Sequence, residues 1–480
     1  MLKILAAALC MAWGLDGVPE IKDAGPVIRE AKGTLVLIQV DGLSYDRFLE
    51  AASKGKVPNM AALLDSGFKL SPYKCGIPTI TQSVQAQIFY GVKLPANDWY
   101  SKKGASGGGK AYTGGVDFER RLSKPGLLSG GRVYLSELAG GAKDGVDVSS
   151  FIQEDAEAHG GTIAYLRNLR KGSLLRLLHK WPGIKRDARE MAEHFRESGF
   201  DTELDAKAPL FISIMENYCS SVAEDGVKKA ISDDAPVVYT DLASYDEKAH
   251  YFGPSSDAAF DALKRIDERV GRIAAEAGAR GARLFIFSDH GQTESEVFSK
   301  RFGKAMQQLV DELARKVYPK HVDGDLAFTH AYSMGNIYLI GHDGHVDKAG
   351  IERFYPGFLK SLSEHEGVGM VAVRSEGKVE LLGGSLAGYA DSRMPPEVLK
   401  AQIEDYMSLE ESGDIVVFAP YKDGRTLDYN DKYTLVSEHG GIGGEQMHPF
   451  ILYDPKLMAE SPASWKDAGD LHRVFKSLLP

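Results

Sequence analysis

Thr34-Leu-Val-Leu-Ile-Gln-Val-Asp41-Gly42 is the stretch on which the fold turns. Apart from Gln39, residues 35–40 are apolar and show no alternation with polar positions, so both faces of the segment must be covered. That is the pattern of a strand inside a parallel sheet, and it stops at an aspartate followed by glycine. Apolar residues at helical spacing follow at 44–53 and again from Pro58 to Gly67, which completes a βα start. Similar buried runs predict strands at 209–215, 236–240, 283–288 and 449–453, with a helix at 256–277 among them. Strands alternating with helices predict an α/β fold built on a doubly wound, mostly parallel sheet. Residues 34–296 and 431–480 are assigned to that sheet domain, and 297–430 to a smaller inserted cap of mixed strands and helices.

The 480-residue chain carries a net charge of −10, which argues against a nucleic-acid polymer as partner because such a binder needs a basic face. With 43% hydrophobic residues it has ample material for a core, which excludes disordered and collagen-like classes. Cys10, Cys75 and Cys219 show no CxxC spacing, ruling out a cysteine zinc finger, an iron–sulfur cluster and a disulfide framework, and leaving at most a Cys75–Cys219 bridge. At the N-terminus, Lys3 precedes an apolar run from Ile4 to Leu15 that is too short to span a bilayer. It resembles a signal peptide over residues 1–14, followed by a linker at 15–33, and predicts a periplasmic or secreted protein; a buried N-terminal helix in a cytoplasmic protein is the alternative. Leu9 before Cys10 argues against lipidation.

Two segments invite functional readings. The run 104–110 matches GxxxxGK, but Ala111 stands where a phosphate-binding loop needs Ser or Thr, and no buried strand precedes it, so it reads as a plain loop. The basic stretch 167–196, with Leu174, Leu175, Leu177, Leu178 and Trp181, leaves a peripheral membrane contact open; a solvated helix packed on the main domain is the favoured reading.

The chemistry gathers where strands end, because in an open α/β sheet ligands bind at the carboxyl ends of the strands. Asp41 follows the first strand, and Asp289-His290-Gly291 follows the strand predicted at 283–288. Asp246 and His250 are four residues apart, which puts them on one face of a helical turn. In Glu438-His-Gly-Gly-Ile-Gly-Gly444 the glycines would let backbone approach a ligand around His439. Three carboxylates and three histidines suffice to hold two zinc ions. Between them, Pro78-Thr-Ile-Thr81 offers a hydroxyl just before a helix that contains residues 86–90. Thr81 is the candidate nucleophile, with Thr79 its competitor; a threonine is inert at neutral pH unless a base or a metal activates it. A helix N-terminus beside it would also offer N–H groups to an anionic phosphoryl or sulfuryl group. His159, His330 and His448 are read as ordinary histidines, His448 with a supporting role near the site left open.

Taken in order, VDG (40–42), PTxT (78–81), DxxxHxxGP (246–254), SDHG (288–291) and EHGGxGG (438–444) resemble the alkaline phosphatase superfamily, and within it the type I phosphodiesterase/nucleotide pyrophosphatase group. The resemblance implies an alkaline phosphatase-like fold and one zinc ion held by Asp41, Asp289, His290 and the Thr81 oxygen. It implies a second held by Asp246, His250 and His439; other divalent metals would suit the same ligands. It implies hydrolysis of a small-molecule phosphate ester, most readily a diester, through a covalent phospho-threonine at Thr81. Gln82-Ser-Val-Gln85 replaces the Phe-Pro-Asn-His of the nucleotide enzymes, which argues against nucleotides and brings the chain nearer to bacterial members with a TPAxQAG-like segment. Asn97 stands near the phosphoryl-binding asparagine of the family, at a different spacing. Absence of C-x-P-x-R around Cys75 argues against a sulfatase. A phosphomonoesterase, which would draw on Lys102, Lys103 or Lys110, a lipid headgroup phosphotransferase and a non-catalytic metal protein are the alternatives.

Overall fold

Leu35–Gln39 forms the expected strand, and every residue in it is buried. It lies within a seven-stranded sheet whose spatial order is Lys69–Pro72, Phe450–Tyr453, Arg283–Phe287, Leu35–Gln39, Val237–Asp241, Arg132–Ser136 and Asp144–Val148. The pairings from Arg283–Phe287 across to Asp144–Val148 are all parallel. This is a computed structural model describing residues 33–479, apart from 97, 102–109, 114–117, 121, 123–124, 161–163, 165–166 and 168–173. The predicted leader and most of the predicted linker therefore lie outside the described residues, as do Asn97, Lys102, Lys103 and the glycines of the 104–110 run. Lys110 begins the strand Lys110–Thr113.

The unbroken apolar character of the strands has a direct cause. Leu35, Leu37, Val237, Tyr239, Phe285 and Phe287 face one core layer, while Val36, Ile38, Val238, Leu284 and Ile286 face a second. The first layer is roofed by the helices Thr81–Tyr90 and Gly469–Ser477, the second by Tyr45–Ser53, Ser220–Ser232 and Asp257–Arg280. Cys75 and Cys219 are free and buried in different layers, so they do not form a bridge.

One sequence expectation needs correction, and two features were not foreseen. Residues 209–215 are not a strand but the helix Ala208–Ile214, which runs on through a π-helical turn, Met215–Cys219. Its apolar residues serve two clusters: Ile212 packs with Met191 and Phe195, while Leu210 and Ile214 lean on the main core. A helix covered on two sides reads like a buried strand, and Pro209 is tolerated in its first turn. The strand Phe450–Tyr453 exists but runs antiparallel to both neighbours. The chain enters it from the loop around His439, at the carboxyl end of the sheet, and so must run back. The strands Arg132–Ser136 and Asp144–Val148 lie in a glycine-rich, charged stretch where periodicity gave no signal.

Residues 326–418 hold a second, five-stranded sheet in the order Leu326–Ala331, Met334–Leu339, Ile415–Phe418, Met370–Ser375, Lys378–Gly383, every pairing antiparallel. A three-stranded sheet of Arg425–Asp428, Thr293–Val297 and Ser437–Glu438 carries the chain into and out of this region. The basic segment forms the helix Leu174–Ser198, on which Leu177 and Trp181 pack against the main core while Leu175 and Leu178 remain exposed. Among the described residues no helix is long and apolar enough to cross a membrane.

Candidate active site

The parallel strands deliver carboxylates to one edge of the sheet. Asp41 comes directly after Val40, Asp241 ends its strand in register with Gln39, and Asp289 stands two residues past Phe287. Asp41, Asp241 and Asp289 are all buried. Gly42 adopts φ +69, its N–H donates to Asp289 Oδ1 at 3.3 Å, and a Cβ at this position would overlap the Asp246 carboxylate. Gly42→Ala is therefore expected to cost roughly 2–4 kcal/mol from left-handed backbone and overpacking together. The denaturant midpoint reads this directly, and an unchanged midpoint would show that Asp246 can move aside.

Helices supply the remaining side chains. Asp246 and His250 share a face of Ser244–Phe252, with His250 Nε2 2.9 Å from Asp246 Oδ2. Thr81 opens the helix Thr81–Tyr90, whose N-terminus has no side-chain cap, and its Oγ1 lies 3.2 Å from His290 Nε2. The Thr79 hydroxyl is instead taken up by the loop after His439, donating to Gly441 O at 3.1 Å and accepting from Gly440 N at 2.8 Å.

The three histidines share one arrangement. Nδ1 of His250 meets Ser437 O at 2.9 Å, Nδ1 of His290 meets Gly291 O at 3.0 Å, and Nδ1 of His439 meets Thr79 O at 2.7 Å. A carbonyl only accepts, so each Nδ1 carries the hydrogen and each Nε2 is left to face the carboxylates. The His290 and His439 rings stack with centroids 3.8 Å apart, and His250 lies 5.2 Å from His439.

Buried charge is crowded here. Burial, and then Asp241, Asp289 and Asp246 nearby, push the Asp41 carboxyl well up; burial and Asp289 do the same to Asp241. Burial would also raise Asp246, but His250 beside it outweighs that and holds it well below the usual carboxylate range. For His439, burial and the neighbouring His290 lower the ring's affinity for a proton. His290 Nε2 lies 3.2 Å from Asp289 Oδ2 and 3.6 Å from Asp41 Oδ1, yet neither oxygen has a hydrogen bond, nor does Asp241 Oδ1. Unpaired buried carboxylate oxygens are costly unless a cation lies among them, so the residues fit a divalent metal.

Ligand atoms of Asp41, Asp289 and His290 all lie within 4.8 Å of one another, as do those of Asp246, His290 and His439, and those of His250, Glu438 and His439. His290 is common to the first two sets and His439 to the last two, and Thr81 Oγ1 stands beside His290; Glu438 meets His250 on the Nδ1 side, opposite the nitrogen that faces Asp246. The structure thus brings together Thr81, Asp41, Asp246, His250, Asp289, His290 and His439. It leaves His159 at the surface beside Asp155, and His330 on the strand Leu326–Ala331. His448 is held by Asp391 at 2.6 Å. A further group, Asp311, His321 and Asp323, closes on itself: His321 meets Asp311 at 2.8 Å and the Tyr355 hydroxyl at 3.2 Å.

Asp241 escaped the sequence reading. It accepts from Gln39 Nε2 at 3.0 Å and Gln85 Nε2 at 3.2 Å, beside Asp41. Its signal was available: like Asp41 and Asp289, it is a carboxylate at the end of a buried apolar run. Gln292 was missed as well; its amide donates to the Asp246 backbone oxygen at 3.0 Å and to Oδ1 at 2.5 Å. Tyr332, at the tip of the hairpin joining Leu326–Ala331 to Met334–Leu339, has φ +55 and lies 5.0 Å from the His439 ring.

The site is thus a mostly parallel α/β sheet that carries carboxylates and histidines at its carboxyl edge. Solved structures with this fold include the phosphonoacetate hydrolase of Sinorhizobium meliloti 1021 in complex with phosphonoformate, 17% identical, with a TM-score of 0.54 over 96% of this chain and 99% of that one. The wild-type alkaline phosphatase PafA is 15% identical, with a TM-score of 0.53 over 90% of this chain and 92% of that one. At these identities the likeness is one of fold. No curated protein matches the chain in sequence. The chain belongs to the type I phosphodiesterase/nucleotide pyrophosphatase family, which its residues 163–441 match. It is a hydrolase of phosphoric ester bonds, from a metal-dependent family.

Proposed function

We propose that the protein hydrolyses small-molecule phosphate esters, diesters ahead of monoesters, through a covalent intermediate on Thr81 at a site holding two zinc ions. The observation that carries this reading is the common orientation of His250, His290 and His439, each tied through Nδ1 to a backbone carbonyl, with Nε2 turned to buried aspartates around Thr81. Asp41, Asp289, His290 and Thr81 would hold one ion, and Asp246, His250 and His439 the other. Bound there, the ions would supply Lewis acidity that activates a hydroxyl and offsets charge on phosphoryl oxygens.

The protein's own groups set up an in-line displacement. Thr81 Oγ1 gives up its proton and bonds to phosphorus as the ester P–O bond breaks, and the departing oxygen takes up one proton. Water then adds to phosphorus, the Thr81–phosphorus bond breaks and Thr81 regains a proton, so each cycle consumes one water. Thr81 stands in the first turn of an uncapped helix, whose initial N–H groups have no intrahelical acceptor and favour an anionic phosphoryl group.

The preference for a diester is supported by membership of the type I phosphodiesterase family. Zinc-loaded protein is accordingly expected to hydrolyse bis-p-nitrophenyl phosphate faster than p-nitrophenyl phosphate, and p-nitrophenyl sulfate least. A higher rate on the monoester would make the protein a phosphatase, and no turnover on any of the three would favour a transferase or a non-catalytic metal protein.

A further inference from the structure

Glu438 is completely buried; its ion-pair contact is with a metal-site histidine, and the buried Asp428 also acts on it. Its Oε1 has no hydrogen bond and lies 3.6 Å from His250 Nδ1, while Oε2 accepts the His439 N–H at 3.2 Å. The residue is fixed by its strand, which pairs antiparallel with Thr293–Val297 and sets Glu438 opposite Thr293. The same short segment grips the end of the helix that carries His250. Val436 N–H donates to His250 O at 2.9 Å, Ser437 Oγ donates to Ala249 O at 2.7 Å, and Ser437 O receives His250 Nδ1–H at 2.9 Å.

A buried carboxylate left with an unpaired oxygen is expensive to maintain. The bond from His439 N–H does not require the charge, since an amide side chain of the same length could accept it. Its position supplies a reason: it stands behind the ring, on the side away from Asp246. A carboxylate behind a metal-binding imidazole fixes the ring's orientation and tautomer and makes its other nitrogen a stronger donor.

We propose that Glu438 is a positioning residue for His250, acting with Ser437 O to keep Nδ1 protonated and Nε2 directed at the metal site. This rests on the metal-site reading above. It also accounts for the glutamate in the Glu438-His439 pair: His439 would serve the ion as a ligand, and Glu438 through His250.

The test uses the full-length protein loaded with zinc and equilibrated against a graded chelator series, with zinc retained per chain as the readout. Glu438→Gln keeps the side chain's length and can still accept the His439 N–H, but removes the charge. It is expected to weaken retention of one zinc equivalent by roughly 10- to 100-fold, leaving the other equivalent and the thermal midpoint of the metal-free protein unchanged. Retention indistinguishable from wild type would overturn the proposal, as would parallel loss of both equivalents with a lowered metal-free midpoint, which would mark a purely structural role. Glu438→Asp, which keeps the charge at shorter reach, is expected to fall between the two and carries the test if the Gln variant does not fold. His250→Ala separates the two claims, because it must lose an equivalent whatever Glu438 does. A His250→Ala protein that holds wild-type zinc would sink the metal-site reading itself.

Discussion

Replacing Thr81 with alanine is expected to lower turnover of phosphate diesters by roughly 10⁴-fold or more while leaving bound metal unchanged. The loss is large because Thr81 Oγ1 is the hydroxyl beside the ligand groups, 3.2 Å from His290 Nε2. The neighbouring Thr79 cannot take over without dismantling the site: its hydroxyl bonds within the 440–446 loop, and its carbonyl holds His439. Metal should persist because Asp41, Asp289 and His290 group without the threonine. Side-by-side rates and zinc content of the two proteins check this. Thr81→Ala activity near wild type would remove the nucleophile from the account, and loss of zinc would make Thr81 an indispensable ligand rather than a reactive one.

The second large effect is expected at His439. Its ring stacks on His290, lies 5.2 Å from His250 and belongs to two of the three buried ligand groups. His439→Ala should lose at least one zinc equivalent, and activity should fall at least about 10³-fold. Added zinc should restore little of it, whereas wild-type protein stripped by a chelator should recover on reloading. Elemental analysis beside the assay distinguishes the cases. Full zinc content in His439→Ala would mean that the ion is held by the aspartates without it.

How far the sequence reveals this site depends on where each residue's signal comes from. Asp41 and Asp289 are legible because a buried strand ends two residues before each, and Asp246 and His250 because a four-residue spacing survives in the helix that forms. Asp241 has the same signal, a carboxylate one residue past a predicted strand, and its place beside Asp41 follows from the pairing of its strand with Leu35–Gln39. The direction of Phe450–Tyr453 is a matter of which end of the sheet the preceding loop occupies, and no local pattern carries that information. The helix Ala208–Ile214 looks like a strand because Leu210, Ile212 and Ile214 are divided between two cores. Glu438 is visible as part of a motif, but that its carboxylate stands behind His250 follows from strand pairing with Thr293, a contact between residues far apart in sequence.

The stereochemical course at phosphorus tests the central claim most directly. A phosphorothioate diester of defined configuration, hydrolysed by the zinc-loaded protein in isotopically labelled water, should give product with net retention, because displacement by Thr81 and then by water inverts the centre twice. Net inversion would mean that water attacks the diester in one step, and would contradict a covalent intermediate on Thr81.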